Sequence, residues 1–230
     1  MQATQRIHTQ TLIDALIPGS GIIRAVSLVV AFSFLVALFA QISIKLPFTT
    51  VPITGQTLAV LLAGGALGSN KGAASLGLYA FWGTIGIPVY APSQSAETIH
   101  FIFPWSGTAD PFWLLTSGGY IIGFIFAAYI VGYFAERGWD RSWNVTIAML
   151  VGNAAIYLPG LLWLGYLISS KALDSHLGFS LSNVIPGSTN LEKTLVGGFY
   201  PFVVGDLVKL YLASICLPGA WVLLKKKDNS

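Results

Sequence analysis

Charge is what this chain has least of. Its 12 lysines and arginines and 9 aspartates and glutamates make up 9% of 230 residues, against about 25% in a soluble domain. So few ionised groups give no hydrated shell for a water-soluble globule. With 54% hydrophobic residues and a mean hydropathy of +0.72, the chain reads as an integral membrane protein. Cysteine is almost missing, and the single Cys216 excludes an intrachain disulfide. No Cys-x-x-Cys pair occurs, and His8, His100 and His176 stand far apart in sequence, so no metal-ligand array is expected. No Gly-x-x-x-x-Gly-Lys-Ser/Thr run is present to cradle ATP phosphates, so any energy for concentrating a ligand must come from another chain or a gradient. The net charge of +3 is thinly spread. Its one cluster, Lys225-Lys226-Lys227, sits beside an apolar segment and suits a topology anchor better than a nucleic-acid surface.

What the chain does have is apolar runs, and a bilayer crossing needs about 17 to 25 such residues. The expected fold is all-α: a compact bundle of six transmembrane helices over residues 22–224, a surface segment at 1–21 and a basic tail at 225–230. In the surface segment Ile7, Leu12, Ile13, Leu16 and Ile17 are spaced so that some share one face of a short helix that Pro18-Gly19-Ser20-Gly21 ends. The first span is expected from about Ile22 to Ile44. It is too long for a secretory signal, and Ala37-Leu38-Phe39-Ala40 offers no cleavage site. Ser27 with Ala31, and Ser33 with Ala37, place small residues four apart, where a second helix can approach closely.

Residues 45–57 carry Pro47 and Pro52 among hydroxyl and amide side chains, which predicts a structured loop. At membrane depth such backbone survives only under a cover of protein or water. A short second span through Leu58 to Leu67, a tight turn at 68–72 and a third span ending near Ile87 follow. Residues 88–117 form the longest irregular stretch, rich in proline and tryptophan and without lysine or arginine, which predicts an external lid loop. The fourth span is expected from Gly118 to near Phe134, the charged turn at 136–141, and the fifth span from about Trp143 to Ile168. Residues 169–198 read as an exposed connection with one surface helix. Six crossings with both termini in the cytoplasm leave Arg6, Arg24, Lys71, Arg137, Arg141 and Lys225 to Lys227 inside, with Lys45, Lys171 and Lys193 outside.

The last span, running on to Leu224, contains an acid and a base, Asp206 and Lys209. Either charge alone at a helix centre costs about 2.5 to 3.5 kcal/mol on insertion scales. Three residues apart, they share one side of the helix. Two readings follow: an ion pair that lets the helix insert, or an acceptor and a donor facing a ligand. Asn153, in the middle of the fifth span, is likewise either a bundle hydrogen bond or a cavity group.

Five patches in order carry a resemblance: Val51-Pro52-Ile53-Thr54-Gly55-Gln56-Thr57 with the apolar run to Gly64, Gly86-Ile87-Pro88-Val89-Tyr90-Ala91, Gly118-Gly119-Tyr120-Ile121-Ile122-Gly123-Phe124, Gly160-Leu161-Leu162-Trp163-Leu164, and Pro201-Phe202-Val203-Val204-Gly205-Asp206-Leu207-Val208-Lys209. Together they resemble BioY, the biotin-binding S components of energy-coupling factor (ECF) transporters, over nearly all of the chain beyond residue 25. The resemblance implies a six-helix subunit of the cell (inner) membrane that captures biotin on the outer side. It also implies partnership with a membrane coupling subunit, the T component, and two ABC-type ATPases that use ATP, with no cofactor in this chain. In the family the matching aspartate and lysine line the vitamin site, which points to Asp206 and Lys209. The chain departs from the family in its serine-alanine pairs on the first helix and in the longer run from Pro92 to Thr116.

Biotin's cyclic urea supplies two N–H donors and a carbonyl acceptor on an apolar bicycle with a carboxylate tail. Asp206 can accept from the urea and Lys209 can donate to its carbonyl, or Lys209 can take the tail. Gln56, Tyr90, Tyr120 and Trp163 are candidate neighbours. Three other functions stay open: an S component for a different vitamin, an intramembrane enzyme using the same acid and base, for which no partnered nucleophile is found, or a small channel or structural bundle protein in which the pair is a plain salt bridge.

Overall fold

A computed structural model describes residues 10–92 and 98–228. Arg6, Ile7 and His8, as well as part of the expected lid, lie outside the described residues. Helix α1 (Leu12–Leu16) starts at Thr11, whose hydroxyl accepts from the Asp14 N–H. Helix α2 follows at Ile22–Gln41, an apolar run free of glycine and proline. It ends three residues short of the expected boundary. Ser43–Ile44 is a strand, β1, paired antiparallel with β2 (Ile53–Thr54) on one side and with β4 (Ile99–His100) on the other. Two β-branched residues, Ile42 and Ile44, read equally well as helix or strand in a hydropathy window.

The hairpin closes over residues 45–52, and this irregular segment is covered by protein: Lys45, Thr49, Thr50 and Val51 are all buried. The Thr49 hydroxyl donates to the Gly197 carbonyl, tying the loop to the far end of the chain. Helix α3 (Gln56–Leu67) is only 12 residues long, about 18 Å against a hydrocarbon core of about 30 Å. Gly68 alone, at φ 84°, joins it to α4 (Ser69–Thr84), so the expected five-residue turn contracts to one glycine. Between Thr84 and Gly118 the described chain forms β3 (Tyr90–Pro92), β4 and β5 (Gly107–Thr108), with β3 and β5 paired, then a 3-10 turn at Phe112–Leu114.

Helices α5 (Gly118–Ala135) and α6 (Asn144–Ser170) fall within two residues of their expected bounds. The connection after them holds three helical pieces rather than one: α7 (Asp174–Leu177), α8 (Leu181–Val184) and α9 (Asn190–Gly198). The signal for α9 is a capping box, in which the Thr189 side chain accepts from Glu192 N–H while Glu192 accepts from Ser188 N–H. Helix α9 is not merely superficial, since it buries Thr194, Gly197 and Gly198 and packs on α6. Helix α10 (Tyr200–Asp228) completes the chain and carries Asp206 and Lys209.

Among the described residues, four helical stretches are long and apolar enough to cross a membrane: Ile22–Gln41, Gly118–Ala135, Asn144–Ser170 and Asn190–Leu224. Helices α3 and α4 fall short by length. They lie inside the bundle, where small residues bring backbones together. A Cβ on Gly64 would stand 2.5 Å from the Ala128 carbonyl oxygen of α5, and one on Gly123 would stand 2.7 Å from the Ile156 carbonyl oxygen of α6. On α2 the two small-residue pairs part company, with Ser33 and Ala37 buried and Ser27 and Ala31 exposed.

Several basic residues gather at one end of the bundle. Asp14 accepts from Arg24 at 2.8 Å and from Lys71 at 3.1 Å. Arg141 donates to the Gln10 carbonyl. Glu136 accepts from both the N–H and the hydroxyl of Ser69. The strands and the residue 45–55 loop cap the opposite end.

Candidate functional site

Just inside the strand-capped end, α3, α4, α5, α6 and α10 leave a polar cavity of about 50 Å³ between them. Its floor is Asp206, 5% exposed. The Lys209 ammonium, one helical turn on, donates to Oδ1 at 2.9 Å, and the Tyr157 phenol of α6 donates to Oδ2 at 2.6 Å. Acid and base are therefore paired, as the plain ion-pair reading has it, but both also line the cavity.

Gln56 enters from the first turn of α3. Its amide donates to the Tyr79 phenol at 2.6 Å and accepts from the Thr54 hydroxyl at 2.9 Å. Tyr90, on β3, stands edge-on to Tyr79 at 5.4 Å between ring centroids and donates to the Ala80 carbonyl. Its position depends on Gly83, where a Cβ would lie 2.1 Å from the Tyr90 ring. The Tyr120 phenol donates to the Gly198 carbonyl at 2.7 Å, and its ring faces that of Tyr157 edge-on at 6.2 Å. Val51, Ile121, Phe124, Ile156 and Phe202 supply apolar walls.

Five of the seven residues singled out in the sequence thus meet: Asp206, Lys209, Gln56, Tyr90 and Tyr120. Trp163 does not line the cavity, and its indole N–H donates to the Leu115 carbonyl, anchoring the loop before α5. It lies six positions beyond Tyr157, which on a helix turns it well away from the cavity. Asn153 is off the lining as well, one turn below Tyr157, with its Oδ1 buried and without a hydrogen-bond partner among the described residues. Tyr157 and Tyr79 are the residues sequence reasoning missed. Each is a tyrosine in an apolar helix, Tyr157 one of two in α6 and Tyr79 the one in α4, and the one usable hint is that Tyr157 shares a helix face with the already conspicuous Asn153.

Fold and site together define a multi-pass membrane protein with a small polar chamber enclosed by its helices. The profile of the BioY family matches residues 8–226, and the chain belongs to that family. It is 33% identical over 192 residues to a probable biotin transporter BioY of Pyrococcus horikoshii, covering 84% of this chain and 93% of the relative. It is 27% identical to the biotin transporter BioY of Thermotoga maritima, covering 80% and 88%. The fold is that of a crystallised S-component for biotin from an ECF-type ABC transporter, with a TM-score of 0.58, 23% identity, and coverage of 85% of this chain and 89% of that one.

Proposed function

We propose that this chain is the S component of an energy-coupling factor transporter and binds biotin in the chamber above Asp206 for uptake across the cell membrane. The observation that carries the reading is the incomplete use of the Asp206 carboxylate. Two oxygens offer about four acceptor positions, and Lys209 and Tyr157 take one each. The remainder can accept from an N–H of a cyclic urea. Lys209, a three-donor ammonium, reaches the urea carbonyl without leaving its partner. Charge-assisted bonds of this kind are worth about 1.5 to 3 kcal/mol each. The cavity volume of about 50 Å³ is well below the roughly 300 Å³ of small-molecule pockets. Admitting the bicycle therefore requires the wall to part, and the residue 45–55 loop, held by short strands and single hydrogen bonds, is its softest member.

In this reading residues 22–224 are one six-helix domain, with the 45–55 loop and half-length α3 together completing the second crossing and residues 88–117 forming an external lid. Both termini face the cytoplasm, at the end where Arg24, Lys71 and Arg141 collect. The exposed Ser27 and Ala31 face of α2 meets the T component, and two ABC-type ATPases supply the ATP-driven reorientation that releases biotin inside.

Equilibrium binding of labelled biotin to the purified full chain tests the site. Tight binding to wild type, lost by about 100-fold or more in Asp206→Asn through removal of the charge-assisted contacts, is expected. Folded wild-type protein that prefers another vitamin in a ligand panel, or binds none, overturns the proposal.

A further inference from the structure

A second cavity, of about 260 Å³, lies beside the first toward the loops of the strand-capped end and shares Pro52, Ala91 and Ser117 with it as common walls. Its lining is polar in a way a surface cleft is not. Lys45 is 6% exposed and Thr50 6%, and Thr108 and Thr116 are equally enclosed. The Thr50 hydroxyl oxygen is buried with no hydrogen-bond partner among the described residues. Polar side chains withdrawn from water without a partner cost free energy, and a ligand atom that completes them recovers it. Lys45 already interacts within the chain, and an ammonium with three N–H donors accommodates a second acceptor. The acid of this chamber, Asp110, lies 3.6 Å from the imidazole of His176 across the rim.

Building on the biotin reading above, we infer that the second chamber is the subsite for the ligand's anionic tail, with Lys45 supplying the countercharge and Thr50 a hydroxyl donor. The shared wall makes the geometry one-directional. A ring seated on Asp206 points its flexible alkyl tail past Ser117 and Pro52 into the second space, where the carboxylate meets the buried ammonium. This assigns Lys209 to the urea alone and resolves which lysine takes the tail. It also disfavours neutral-tail analogues.

The test compares binding of biotin and of its methyl ester, a neutral-tail analogue, to the full chain. Wild type is expected to prefer the acid by about tenfold or more, the size of one charge-assisted hydrogen bond. In Lys45→Met the two ligands converge at the ester's affinity, while Lys45→Arg keeps the preference. Thr50→Val removes a hydroxyl with no partner among the described residues, and it weakens the acid by about threefold while leaving the ester unchanged. A Lys45→Met protein that still prefers the acid, or loses both ligands equally, overturns the subsite, as does a Thr50→Val protein with wild-type affinity for the acid. Wild type binding acid and ester equally well removes the subsite and leaves the ring site standing. Wild type binding neither removes the biotin reading itself.

Discussion

The phenol of Tyr157 on α6 donates to Oδ2 of Asp206 on α10 at 2.6 Å, joining two helices through the one buried carboxylate of the chamber. Without that donor the oxygen is desolvated and unpaired, which costs about 1 to 3 kcal/mol. Tyr157→Phe is therefore expected to melt below wild type in the absence of ligand and to regain most of the difference with saturating biotin, whose urea N–H groups fill the vacated position. Equal ligand-free melting temperatures show the bond to be idle.

Two glycines predict opposite signs for the same substitution. Gly64 of α3 faces the Ala128 backbone at a distance no methyl group fits, so Gly64→Ala forces α3 and α5 apart at about 1 to 3 kcal/mol. A methyl group on Gly77 of α4 would meet nothing within 4 Å, and Gly77→Ala gains helix propensity worth up to about 1 kcal/mol. Thermal unfolding in one detergent compares them. Equal shifts for both variants remove the close-packing account.

Acid is expected to release the N-terminal tether. Burial favours a neutral Asp14, but hydrogen bonds from Thr11, Arg24 and Lys71 outweigh it and hold the carboxyl below its ordinary 3.8. A depressed carboxyl pKa contributes stability that is present above the ordinary value and lost as pH falls through the folded-state value. The protection of residues 11–17, measured as exchange relative to the unfolded chain at the same pH, should thus be high at pH 6 and fall as pH drops below the ordinary carboxylate range. Asp14→Asn should show low protection throughout. Protection in wild type that does not change across this range removes the tether.

Much of this site was legible because the membrane makes charge conspicuous. Asp206 and Lys209 stand out in an apolar run, and their three-residue spacing alone puts them on one helix face. Tyr157 was not legible: a phenol is half apolar, so nothing in its neighbours says that its hydroxyl meets an acid 49 positions on. Asn153 stood out as a polar group in an apolar span and Trp163 through the resemblance carried by residues 160–164, but they sit one turn below the chamber and on another helix face. The ends of α5 and α6 follow from hydropathy, because the chain there enters and leaves an apolar run abruptly. The end of α2 and the three helical pieces after Ser170 do not, since strand pairing with Ile53 and His100 and packing on α6 are long-range choices that a sequence window cannot contain.

The ion pair and the ligand site make different predictions once the whole polar group is removed. Breaking the pair alone, as in Asp206→Leu, strands an enclosed ammonium whose side chain is 16% exposed and is expected to cost about 3 to 5 kcal/mol. Replacing Asp206 by Leu, Lys209 by Met and Tyr157 by Phe together leaves no orphan, and apolar substitutes for buried ion pairs are commonly neutral or stabilising by about 1 to 4 kcal/mol. The triple variant is expected to melt at or above wild type and to lose biotin binding entirely. If the charges serve only to let α10 insert, the triple variant keeps wild-type affinity as well. Stability regained with binding lost says instead that the protein carries an electrostatically expensive cluster inside the membrane because a polar ligand needs it there.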